Sequence, residues 1–130
     1  MTRDEWSLSQ PICWMCTRQA CDTHEIARGP AKQAAMLEPA AWIRACRRCH
    51  DELDDYAIWP IERQLALKRL CDPVNYSRRI VNRLRGRMPN AISKREVDRA
   101  LPSVILLLVE RGVPLHVIRH QLDWCENQGG

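Results

Sequence analysis

The sequence predicts a mainly α-helical protein with a small β-hairpin, built around a metal near its N-terminal end. Three observations predict it. Two Cys-x-x-Cys pairs, Cys13/Cys16 and Cys46/Cys49, bracket the few strand signals in the chain. From Cys46 onward, capping residues and helix-period apolar spacing recur. The 130 residues are 45% hydrophobic, enough for one compact domain or a small domain with an appendage, and too apolar for wholesale disorder. With five Trp, two Tyr and no Phe, aromatic burial must lean on tryptophan.

In chain order, Cys21-Asp22-Thr23-His24-Glu25-Ile26 is a short strand candidate, and Arg28-Gly29-Pro30 breaks regular structure after it. Residues 31–38 form a short helix stopped at Glu38-Pro39. A helix beginning near Cys46 carries His50 and Leu53 toward Tyr56, and Trp59-Pro60 opens the next, with Ile61, Leu65 and Leu70 spaced for burial. Past Asp72-Pro73, Ser77 caps a basic helix that runs through Arg85 and stops at Gly86, followed by a linker over 87–90. Ser93 and Glu96 form a capping box for a helix whose apolar face begins with Val97 and Leu101. Pro102 lacks an amide donor and clashes with the preceding turn, so it must kink that helix or start another. Gly112 ends it, and Pro114 opens a last helix through Trp124. The division expected is a metal-centred module over 1–58 and a basic helical region with apolar C-terminal helices over 59–130.

The chain reads as an intracellular, cytoplasmic protein. Its start is polar and acidic rather than signal-like, and its longest apolar run, Val104 to Val109, is far short of the ~20 residues that span a bilayer. Seven cysteines is an odd count, so a disulfide framework leaves one thiol over, and in a reducing compartment closely paired cysteines more often hold a metal. Two Cys-x-x-Cys knuckles can give four thiolates to one tetrahedral Zn²⁺, a closed and therefore structural site. The alternatives are buried free thiols, or a set in which Cys16, Cys21 and His24 replace a knuckle thiolate. His24 and His50, near a strand end and just past Cys49, are then candidates for a second, open site, with a capping or zinc-supporting role as the plainer reading.

Charge is uneven. Residues 1–60 hold 7 Lys/Arg against 9 Asp/Glu, and residues 61–130 hold 13 against 7. Arg78, Arg79, Arg83, Arg85 and Arg87 make the basic helix a candidate grip for a nucleic-acid backbone; a solvated face is the alternative. His116 and His120 sit at i, i+4 without an evident third ligand, which favours a solvated face over a metal pair. Cys71 and Cys125 read as ordinary thiols. Trp14 is expected to pack over the zinc. The apolar face from Leu101 to Val109 is core-forming, or a homodimer face where too little chain covers it.

Over Pro11 to Asp55 the order Cys13/Cys16, His24-Glu25-Ile26 and Cys46/Cys49/His50 resembles the zinc-bound, phage-type HNH nucleases, also called His-Me finger or ββα-metal nucleases. Arg28-Gly29 after the strand is similar to that family's loop. The resemblance implies a zinc-stabilised ββα-metal module, DNA as partner, and phosphodiester hydrolysis with Mg²⁺ or Mn²⁺ in a phage or mobile-element setting. It implies His50 as a ligand of the catalytic metal and His24 as base or ligand, with Glu25 or Asp22 supplying the remaining group. Two positions depart from the family's text: Glu25 stands where a general-base His is usual, and Ala41 where an Asn holds the base imidazole. The reading from another class is a zinc module without catalysis that binds nucleic acid or protein. Along a strand Asp22 and His24 share one face and Glu25 takes the other.

Overall fold

The computed structural model describes residues 1–27, 29–86 and 91–114. Arg28, Arg87, the rest of the 87–90 linker, and everything from His116 to Cys125 expected of the last helix lie outside the described residues.

The chain opens with a helix that the apolar pattern does not announce, α1 (Arg3–Ser9). A full capping box starts it, with Thr2 accepting from the Glu5 amide and Glu5 reaching back. It buries Trp6 against Trp14 and Trp42, at ring separations of 5.8 and 5.5 Å. The first knuckle follows as a tight turn in which the Thr17 amide donates to the Cys13 carbonyl and Ile12 bridges Gln19. Strand β1 (Asp22–Glu25) pairs antiparallel with β2 (Trp42–Ala45), His24 opposite Ile43 and Glu25 opposite Trp42. Between them α2 covers only Ala31–Ala35, shorter than expected, and a 3₁₀ turn at Pro39–Ala41 feeds β2. The 3₁₀ turn forms because Pro39 cannot donate and the Glu38 carboxylate takes the Ala40 amide.

Cys46 caps α3 (Arg47–Leu53), which ends before Tyr56. Helix α4 (Ile61–Cys71) follows Pro60 and buries Ile61, Leu65 and Leu70 as their spacing predicts. It also buries Gln64 and Lys68 completely, which no spacing predicts. Both find partners: Gln64 meets His24 of β1 and the Leu53 and Trp59 carbonyls, while Lys68 Nζ donates to the Trp42 carbonyl and to the Asp72 carboxylate at the end of its own helix, each at 2.8 Å, and lies over the Trp6 and Trp14 rings. Helix α5 (Arg78–Arg85) has the expected Ser77 cap and ends at Gly86, whose φ of +62° suits a residue without a Cβ.

Helix α6 (Lys94–Glu110) begins at the Ser93/Glu96 box and runs through Pro102 as one helix, rather than being broken into two. Pro102 and Asp98, whose carbonyl loses its amide partner, are both exposed, so water can take the freed acceptor. Its far end is a Schellman motif: Gly112 has φ +82°, and the amides of Gly112 and Val113 return to the Val109 and Leu108 carbonyls. Val97, Ala100, Val104 and Leu108 form its core face, while Leu106 and Val109 are exposed. One hydrophobic cluster runs from Trp6 to Val113, so residues 1–58 and the described residues from 59 to 114 share a core. Among the described residues no helix is long and apolar enough to cross a membrane.

Candidate metal centres

The two knuckles converge. One Sγ from each of Cys13, Cys16, Cys46 and Cys49 lies within 4.8 Å of all the others, and Cys16 and Cys46 are 3.7 Å apart. A disulfide would need about 2.05 Å. A tetrahedron of ~2.3 Å Zn–S bonds has edges of about 3.8 Å, so the four sulfurs fit a tetrathiolate site for a structural metal, consistent with zinc. Burial pushes the Cys13 and Cys49 thiols up, and neighbouring thiols add to the rise at Cys49. At Cys46 burial is outweighed by the Cys49 amide and the other thiols, which bring it down to about 7. All four cannot ionise together without a cation among them. Four thiolates on Zn²⁺ would carry a net −2; the adjoining groove of about 560 Å³ is lined by Arg18, Arg48 and Arg111 but also by Glu52 and Glu110, with Arg111 paired to Glu52, so only part of that charge is offset. Cys21 is exposed and takes no part in this group, and Trp14 packs on Trp6.

The knuckle that fixes Cys49 also fixes His50, the next residue of α3. His24 on β1 meets it with ring centroids 5.2 Å apart, edge to face. Asp54, one turn beyond His50 at the end of α3, joins them: single ligand atoms of His24, His50 and Asp54 all lie within 4.8 Å of one another. Asp54 is the member that sequence reasoning misses, although its i, i+4 spacing from His50 is visible.

The two rings are held differently. Nδ1 of His50 and the Asp22 carboxylate are 3.0 Å apart, and Arg47 donates to the same oxygen at 3.0 Å. Burial pushes the Asp22 carboxyl up, but the His50 hydrogen bond and the charges of His50 and Arg47 outweigh it and hold it below its ordinary value. A carboxylate on Nδ1 leaves Nε2 of His50 as the atom able to bind a cation. His24 is only 3% exposed and puts Nε2 2.8 Å from Gln64 Oε1. Burial lowers it to about 4, so it is neutral at pH 7. Its Nδ1 faces Asp54 Oδ1 at 3.5 Å. With the His24 proton on Nε2, those two atoms are both acceptors, and their approach becomes favourable when a cation or proton lies between them.

Glu25 does not join this cluster. As the strand alternation requires, it points to the other face of β1, where it is 6% exposed and ion-paired with Arg3, which also donates to the Thr23 carbonyl. Ala41 is fully buried and its carbonyl accepts from the Ile26 amide, so that position holds no side chain against either imidazole. Beside His50 and Asp22 lies an open groove of about 580 Å³ to which Arg3, Arg44 and Arg47 contribute. The basic helix divides. Arg79 and Arg83 are exposed, whereas Arg78 donates to the Ile92 carbonyl at 2.9 Å and Arg85 is half-buried. Asn82 holds the same segment by exchanging hydrogen bonds with the Ile92 backbone.

No protein-family model, curated protein or solved structure matches the chain.

Proposed function

We propose that the chain is a zinc-stabilised, HNH-like DNA-binding protein that hydrolyses phosphodiester bonds with a divalent metal. The observation that carries this reading is the meeting of His24, His50 and Asp54 on the β1–α3 face, next to a closed four-cysteine cluster. The order hairpin, knuckle, helix supports the ββα-metal resemblance. His50 and Asp54, from one helix, would hold the cation, and the mixed imidazole–carboxylate set suits Mn²⁺ or Mg²⁺ as well as softer ions. A divalent ion bound there supplies Lewis acidity at the scissile phosphate and stabilises the leaving 3′ oxygen. His24, neutral and with Nδ1 turned away from Gln64, accepts the proton of the attacking water. Asp22 keeps His50 in its tautomer. Arg79 and Arg83, with Arg47 at the groove beside His50, meet backbone phosphates without sequence preference.

Incubation with supercoiled and branched DNA, with Mg²⁺, Mn²⁺ or Ni²⁺ and with chelator, tests this reading. Metal-dependent nicking supports it, and no cleavage of any form with any ion sinks it. Binding should weaken steeply with salt, and Arg79→Glu with Arg83→Glu should lower the log–log salt slope by about one for each phosphate that is no longer neutralised. Binding as tight as the parent's would make α5 a solvated face. The second reading, a zinc module that binds without cutting, is favoured by one observation: Glu25 is turned away and neutralised by Arg3.

A further inference from the structure

We propose that Gln64 is the positioning residue of His24, holding its imidazole as the Nε2–H tautomer so that the Nδ1 lone pair faces His50 and Asp54. The inference rests on the metal-site reading above and gives it a part that the hairpin module does not contain. Gln64 comes from α4, outside the segment that resembles the HNH family, and does from there what an Asn at the position of Ala41 would do in that family.

The assignment follows from the amide's own partners. Gln64 is completely buried, and its Nε2 lies 2.9 Å from the Leu53 carbonyl and 2.8 Å from the Trp59 carbonyl. Two carbonyls demand two N–H donors, so the NH₂ end is fixed on them and the oxygen is the end that faces His24. A flipped amide would set its oxygen against both carbonyls in a site without solvent and leave all three buried acceptors without a donor. Facing an oxygen that cannot donate, His24 Nε2 must carry the proton. Nδ1 then holds the lone pair, and it is Nδ1 that lies toward Asp54. The three hydrogen bonds tie His24 on β1 to the end of α3 and to the turn before α4, so the lone pair is aimed before any ligand arrives.

The test is the side-chain ¹⁵N spectrum of His24 in the zinc-loaded full chain at pH 7, together with Mn²⁺ titration, for the parent, Gln64→Met and Gln64→Glu. The parent should show the Nε2–H tautomer alone. Gln64→Met keeps the length but loses the acceptor, so both tautomers should appear, while zinc content and the Mn²⁺ affinity set by His50 and Asp54 stay as in the parent. Gln64→Glu, protonated in this site, can accept from His24 and donate to one carbonyl, and should restore the single tautomer. A parent His24 in the Nδ1–H or a mixed form overturns the proposal, and so does a Gln64→Met protein with the parent's single tautomer. If Gln64→Met does not fold, the parent spectrum and Gln64→Glu decide. Cleavage is not part of the readout, so an inactive parent with the expected spectra defeats the nuclease reading and leaves Gln64 standing. An active parent with the wrong tautomer does the reverse.

Discussion

The four-cysteine cluster and the His24/His50/Asp54 cluster share helix α3, with Cys49 and His50 adjacent, yet they are built in opposite ways. The cysteines come from two local knuckles, are chemically uniform and close on themselves, which leaves a bound metal no free position. The second cluster mixes two imidazoles and a carboxylate from a strand and a helix, and each ring takes its orientation from a further residue, Asp22 for His50 and Gln64 for His24. Asp54 is 60% exposed, so this site opens to solvent. A closed site can organise a fold but offers nothing to a substrate. An open one can serve a substrate but must borrow its rigidity, here from the four-cysteine cluster on one side and α4 on the other.

The largest effect that separates the two follows from removing the clamp. Structural zinc contributes about 10–16 kcal/mol of apparent binding free energy in small domains, so Cys46→Ser or strong chelation should cost the zinc, the hairpin and both imidazole positions together. Elemental analysis with circular dichroism checks this, and unchanged zinc content in Cys46→Ser would dissolve the distinction. Next, His24→Ala and His50→Ala should remain folded and zinc-loaded while losing cleavage. Loss of a base typically costs ~10²–10⁴ in rate. Full cleavage by either variant would place the chemistry elsewhere. Asp22→Asn sharpens the comparison further. It keeps the shape but weakens the acceptor on His50 Nδ1, so divalent affinity should drop about 10–100-fold while zinc is untouched.

A buried charge that belongs to neither cluster gives the smallest effect. Burial lowers Lys68 to about 8 against the pull of Asp72, from 10.5 in the unfolded chain. Between those values the unfolded chain binds more protons, so stability rises with pH across that window and the full penalty is present below it. Urea midpoints at pH 8 and 9.5 should show a gain of ~1–2 kcal/mol that Lys68→Met does not share. Equal slopes for both proteins would mean that the Trp6 and Trp14 rings and Asp72 hold Lys68 fully charged.

How legible each cluster is in the sequence follows from how it is made. Cys13/Cys16 and Cys46/Cys49 are local spacings that chelate at short range, and the caps at Ser77 and Ser93 are likewise local, so these parts read directly. The pairing of His24 with His50 becomes readable through the knuckles that clamp them. Helix α1 escapes notice although Thr2 and Glu5 carry its capping box, because its only apolar residues are Trp6 and Leu8 in a polar stretch, and of these only Trp6 is buried. Gln64 and Lys68 are illegible: a polar residue on a helix reads as solvent-facing unless its distant partners, the Leu53, Trp59 and Trp42 carbonyls, are known. Pro102 reads as a kink or a new helix start because the exposure that lets one α6 run through it is a tertiary fact.

Mn²⁺ binding to the zinc-loaded protein, followed by electron paramagnetic resonance alongside elemental zinc, tests the central claim most directly. One zinc per chain should stay bound through the titration while one Mn²⁺ adds with lower affinity, and His50→Ala should abolish the second event and leave the first intact. A parent that takes up no Mn²⁺, or a His50→Ala protein that binds it as the parent does, would contradict an open metal site beside the closed one.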